Sequence, residues 1–198
     1  MKWKTWIGEG FNEIPIDQRL LIIGESNYDE ASNRESFVIE NVEDATNGQE
    51  YKRSNFFKYT AQFLTGNKDP DMSILNKVAY NVIVQRPLES SGHRPKPSDF
   101  RDGWNSLFEE IKRLKISNCL FIGVGAANHF NYVCHRKYNK GEYGLKRLGK
   151  IKGCRPRVGF IKNDEFEAEF TFIRHAGRGG HKYWSDWNGF LTTQGFNY

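Results

Sequence analysis

The residues best suited to chemistry fall in three polar clusters, each placed directly after an apolar run. "GESNYDE" at 24–30 sets the carboxylates Glu25 and Asp29 beside Ser26, Asn27 and Tyr28. A carboxylate at that point can be a catalyst, although such a residue is more often a helix cap or loop ligand. "NVIVQRP" at 81–87 begins with Asn81, an amide that interrupts an otherwise apolar stretch. A buried amide must satisfy both its donor and its acceptor positions, either against neighbouring backbone or against a planar group such as a nucleobase edge. "RHAGRGGHKYW" at 174–184 supplies His175, followed by glycines that permit close backbone approach, and by Arg178 and Lys182 ahead of an expected helix. That combination favours negative charge on a ligand.

The elements that must position these groups are legible in the spacing of apolar residues. The runs 19–24, 78–84 and 118–125 are hydrophobic on both faces, which marks inner strands of a mostly parallel sheet, and 170–175 joins them as a fourth. Helices are predicted over 55–64, over 98–114 with Ser98 as N-cap, and near 181–191. Phe100, Trp104, Leu107, Phe108, Ile111 and Leu114 share one face of the second. Residues 157–173 alternate apolar and polar around Asn163–Asp164 and predict a hairpin leading into the last strand. The resulting fold class is α/β: an open, mostly parallel central sheet flanked by helices in three layers, α/β/α. In such sheets functional groups gather where strands end at their carboxyl edge, so the three clusters are expected to converge.

Length and charge narrow the classes. A chain of 198 residues suits one domain that buries its core without disulfides or metal. The balance of 29 Lys+Arg against 24 Asp+Glu gives a net charge of +5, but the excess is local. Residues 135–157 hold nine Lys/Arg and a single acid, Glu142, a field that attracts polyanions and makes nucleic acid the natural partner. Three cysteines, Cys119, Cys134 and Cys154, cannot all pair within the chain, which points to a reducing, cytoplasmic setting. No stretch approaches the roughly 18 apolar residues that cross a bilayer, so no membrane partner is expected. Two rival motifs fall short. "GVGAANHF" at 123–130 lacks the full spacing of a glycine-rich nucleotide loop, and His129, Cys134, His135 and Cys154 match no common zinc spacing. No metal and no cofactor is therefore expected.

Taken in order, "IIGESNY", "VAYNVIVQRP", "CLFIGVGAANHF" and "FTFIRHAGRGG", with Trp104 near the start of the intervening helix, resemble the motifs of the uracil-DNA glycosylase superfamily. The resemblance covers about residues 19–130 and 168–195 and implies the glycosylase-like form of the three-layer fold. It makes 1–198 a single domain with a basic insertion at about 131–168. It implies base excision from DNA: hydrolysis of the N-glycosidic bond of a flipped uracil-like or modified pyrimidine. By that resemblance Glu25, His175 and Asp29 are catalytic. Asn81 reads the base, Phe37 stacks on it, and Ser26, Asn27 and Tyr28 complete the pocket. Arg178, Lys182, Arg86 and Ser54 contact DNA, and the protein acts as a monomer. Two departures stand out. Ser26 and Asn27 replace the usual water-activating residue and proline, leaving Glu25, Asn27 or Asp29 to position water; and the family's His-Pro-Ser motif reads His175-Ala176-Gly177. The altered motifs admit a base other than plain uracil, including a bulky modified pyrimidine of bacteriophage DNA, which would give an antiviral defence role. They also admit a catalytically inactive DNA-binding module or a small-molecule nucleoside hydrolase.

Overall fold

The computed structural model describes residues 2–28, 33–47, 55–90, 92–177 and 180–196. The strands are β1 (Trp6–Ile7), β2 (Leu20–Gly24), β3 (Ala79–Val82), β4 (Asn118–Ile122), β5 (Tyr143–Arg147), β6 (Arg157–Lys162) and β7 (Glu167–Ile173). The helices are α1 (Phe37–Thr46), α2 (Phe56–Thr65), α3 (Pro97–Leu114), α4 (Ala127–Cys134) and α5 (Trp184–Thr193). All seven strands form one sheet in the order β1-β3-β2-β4-β7-β6-β5. β3, β2, β4 and β7 run parallel at its centre, while β1, β6 and β5 join antiparallel at the two edges.

The four inner strands are the four apolar runs, and nearly every residue of β2, β3 and β4 is buried, as burial on both faces requires. Each face of the sheet supports its own core. On one side Leu21, Ile23, Phe121, Phe170 and Phe172 meet Trp104, Leu107, Phe108 and Ile111 of α3 and Phe130 of α4. On the other, Leu20, Ile22, Leu120 and Ile122 meet Val38 and Val42 of α1, Ala61 and Leu64 of α2, and Trp187 and Leu191 of α5. The architecture is thus α/β with helices on both faces of a mixed sheet. The basic insertion extends this sheet: β6 pairs with β7 across the Asn163 turn, where Asn163 Oδ1 accepts from the N–H groups of Glu165 and Phe166.

Strand order decides where a ligand can enter. From β2 the chain crosses by α1 and α2 to β3 on one side, then returns by α3 to β4 on the other side of β2. The loop after β2 therefore leads to one face and the loop after β4 to the opposite face, which opens a crevice between their carboxyl ends.

The start of α3 differs from its expected form. The N-cap is Lys96, not Ser98; Pro97 takes the first helical position, and the Asp99 carboxylate accepts from the Lys96 backbone N–H at 2.7 Å. The same carboxylate receives both arms of Arg86, Nε at 2.9 Å and Nη2 at 2.7 Å. Arg86 chiefly, and the Lys96 N–H after the cost of burial, hold Asp99 below its ordinary 3.8. A depressed carboxyl contributes stability in full above its unfolded value and loses it as pH falls through the lower folded one. Asp99→Asn is accordingly expected to cost about 1.5–3 kcal/mol at neutral pH. The difference from the parent should shrink below about pH 4, read from urea midpoints across the acid range.

Candidate functional site

A cavity of about 680 Å³ opens at the crevice between the strand ends. Glu25 enters it from the end of β2, Gly123, Val124 and Gly125 from the end of β4, and Arg174 and His175 from the end of β7. Two of the three clusters singled out in the sequence thus meet across one hollow, at the point the topology dictates.

The segment bearing Glu25 is held by backbone pairing. Ile83 N–H donates to Gly24 O at 2.9 Å, Val84 to Glu25 O at 3.0 Å and Leu88 to Asn27 O at 2.8 Å, so residues 24–27 lie along the extension of β3. The glycines of "GVG" serve this carboxylate. A Cβ at Gly125 would lie 2.5 Å from Glu25 Oε2, and one at Gly123, where φ is +146°, would lie 3.5 Å from it. That motif makes room for Glu25. Ser26 Oγ is buried and meets no hydrogen-bond partner among the described residues, and Tyr28 packs against the α3-side core.

His175 has a defined orientation: the Gly177 backbone N–H donates to its Nδ1 at 3.1 Å. An imidazole that accepts at Nδ1 keeps its proton on Nε2 when neutral. His129, on the first turn of α4, also lines the cavity and stacks on Phe100, with ring centroids 4.9 Å apart and planes 13° from parallel. Burial first, and the nearby Arg101 second, hold His129 below the ordinary histidine range. Around these groups stand Arg94, Arg147, Arg155, Arg157 and Arg174, against Glu25 as the one acid of the lining among the described residues. The cavity is built for an anion.

Other expected site residues lie elsewhere. Asn81 is fully buried, and its Nδ2 donates to Trp3 O at 3.2 Å and Thr5 Oγ1 at 2.8 Å. Its Oδ1 accepts from Val82 N at 2.8 Å and Gln85 Nε2 at 3.1 Å. The base-reading assignment for Asn81 is therefore corrected: its amide ties the N-terminal edge of the sheet to β3 and does not line the cavity. Phe37 is corrected likewise. It is the first residue of α1, 7% exposed, with its ring 5.9 Å from that of Trp3 in the core. Arg86 is engaged by Asp99 at the start of α3, so its fork braces a helix instead of a DNA strand. Lys182 is exposed on the 3-10 turn Gly180–Tyr183, outside the cavity lining. Asp29, Arg178 and Ser54 lie outside the described residues.

Asn81→Ala is expected to destabilise the fold by about 1–3 kcal/mol, because it strands a buried hydroxyl and backbone groups, while affinity for any cavity ligand stays within twofold. Urea unfolding and ligand titration of the same variant check both halves.

The residues not anticipated individually are Asn128 and the arginines of the cavity wall. The charge run at 135–157 signalled that the insertion mattered, but only the pairing of β5 with β6 shows which of its cations face inward. Cys119 and Cys134 are buried free thiols; burial pushes Cys134 up to about 12 and Cys119 further, so neither is poised as a nucleophile. Among the described residues no group of three or more His, Cys, Asp or Glu is placed to hold a metal ion, and no helix is long and apolar enough to cross a membrane. The chain matches no protein-family model and no curated protein.

Proposed function

We propose that the protein is a DNA glycosylase, which hydrolyses the N-glycosidic bond of a uracil-like or modified pyrimidine base flipped out of DNA. The supporting observation is the convergence of Glu25 and His175 on one arginine-walled cavity at the switch point of the sheet. Rupture of the C1′–N bond leaves the electron pair on the base and positive charge on the sugar. Glu25 faces the cationic sugar, orients the water that adds to C1′ and takes its proton. The Nε2–H of His175 donates to the base as negative charge builds there. Fixed groups of opposite sign on the two sides of a breaking bond act without reorganisation, which is where most of such a rate enhancement arises.

The base must leave the stack first, at a cost of a few kcal/mol met by pocket contacts. The cavity volume lies within the roughly 300–1,000 Å³ range of sites for drug-sized ligands, which leaves room for more than one six-membered ring. A bulky modified pyrimidine of bacteriophage DNA belongs to this substrate class and would place the protein in antiviral defence. The test is incubation with DNAs bearing uracil, other deaminated bases and glucosylated cytosine, scored for free base and abasic sites; no release from any member of the set overturns the reading.

One observation favours a second reading, a hydrolase of free nucleotides: five arginines line a single cavity. Such an enzyme would show turnover with weak salt dependence, because it engages no polyphosphate backbone.

A further inference from the structure

We infer that Arg147, Arg155 and Arg157, contributed by the insertion, form a preorganised subsite that grips a phosphate group of the substrate inside the cavity. The inference rests on reading the cavity as a nucleotide-processing site and assigns a role to the part of the chain that the glycosylase resemblance leaves uncovered.

The first reason is an arrangement that harms the empty protein. β5 and β6 pair antiparallel with Arg147 directly opposite Arg157, and residues so opposed project from the same face of the sheet. Like charges directly opposite each other destabilise a sheet. Among the described residues no carboxylate forms an ion pair with Arg147, Arg155 or Arg157, and the lining offers only Glu25 as an acid. Burial, and then Arg147, lower the proton affinity of Arg157 below the ordinary arginine value. A bound dianion or phosphodiester reverses the sign of this interaction.

The second reason is an unsatisfied donor. Arg157 Nη1 donates to Asn128 Oδ1 at 2.8 Å, which fixes the plane of the guanidinium, yet its Nε is buried and has no partner among the described residues. A guanidinium held by one arm with other donors unspent is set to meet tetrahedral oxygens in a fork.

The third is rigidity. Between β5 and β6 the chain makes a tight turn at Lys152–Gly153, with φ of +44° and +80°, closed by reciprocal backbone bonds between Ile151 and Cys154 at 2.8 and 3.0 Å. Arg174 Nη1 donates to Lys152 O at 2.8 Å, and Lys152 Nζ reaches Asp186 of α5 at 3.5 Å. The turn that presents Arg155 is therefore tied to both β7 and the last helix, which lowers the ordering cost of binding.

The test compares the full-length protein with Arg155→Gln/Arg157→Gln and with Arg157→Lys. Calorimetry with deoxyuridine and deoxyuridine 5′-monophosphate measures the increment due to a phosphate monoester; the salt dependence of single-stranded DNA binding measures contacts to phosphodiesters. The parent is expected to bind the monoester at least about tenfold more tightly than the nucleoside and the double variant to lose that preference, or the salt slope to fall by about one per arginine removed. Either result supports the subsite and identifies the source of the phosphate. Arg157→Lys should keep the salt slope and lose part of the affinity, because it retains charge without the fork. The double variant should melt no lower than the parent, since it relieves repulsion; a purely structural role would lower the melting temperature. Equal affinity and equal salt slope in parent and double variant overturn the subsite. Base release is scored separately. Arginine-dependent phosphate binding without released base keeps the subsite and removes the glycosylase reading, whereas normal base release with arginine-independent binding does the reverse.

Discussion

Glu25→Gln is expected to lower base release by about 10²–10³-fold while DNA binds at least as tightly as to the parent. The magnitude is that of removing one fixed electrostatic partner from a developing charge. The substitution is close to isosteric, and this matters because Gly123 and Gly125 leave space for the carboxylate and little more. Fold and volume are retained, and what disappears is the negative charge. With Glu25 neutral, the described lining residues include five arginines and no acid, so anion affinity is expected to rise instead of falling. A merely structural carboxylate would give the opposite pattern, with stability and affinity declining together. Single-turnover release of free base, abasic sites and binding anisotropy, measured on one preparation, separate the two. An unchanged rate with intact binding moves the water-positioning role to Asn27 or Asp29 and removes Glu25 from the mechanism. Gly125→Ala probes the same point independently, since its methyl would press on Oε2 and displace the carboxylate without altering any charge.

The contrast between Glu25 and Asn81 explains how far the sequence could be read. Inner strands buried on both faces announce themselves as unbroken apolar runs, so β2, β3, β4 and β7 were legible, and with them the edge at which Glu25 and His175 emerge. Asn81 stands in such a run for a different reason. Its partners are Trp3 and Thr5, brought alongside β3 by β1, a two-residue edge strand too short to have a periodicity of its own. Without β1 the amide reads as an unsatisfied recognition group; with it, every position is used. The place of Phe37 is hidden from the sequence for a related reason, because α1 begins at that residue and turns the ring toward Trp3. The arginine wall was legible only as composition. Which of nine cations face the cavity depends on the register of β5 against β6 and on one turn in left-handed backbone, and both are set by tertiary pairing.

Trp104→Ala is expected to cost about 3–5 kcal/mol, as for other fully buried large aromatics, out of the roughly 5–15 kcal/mol that keeps a domain folded. The indole is fully buried at the centre of the α3-side core, with ring centroids of Phe121, Phe130, Phe108, Phe170 and Phe172 between 5.0 and 6.2 Å away. Those five rings belong to α3, α4, β4 and β7, so one truncation loosens four elements at once. Urea unfolding should show a large drop in midpoint with little change in slope. The residue also reaches the site. Its Nε1–H donates at 2.9 Å to the carbonyl of Ala126, the N-cap of α4 and the neighbour of Gly125, which abuts the Glu25 carboxylate. Trp104→Phe keeps most of the apolar surface and removes only this bond, at a cost of about 0.5–1.5 kcal/mol, since the Ala126 carbonyl still accepts from the His129 N–H at 3.1 Å. That variant should stay folded yet release base more slowly than its stability loss explains, because the turn beside Glu25 is no longer held from behind. Full activity in a folded Trp104→Phe protein would show that the loop after β4 keeps its shape without this bond, and that the core supports the site by packing alone.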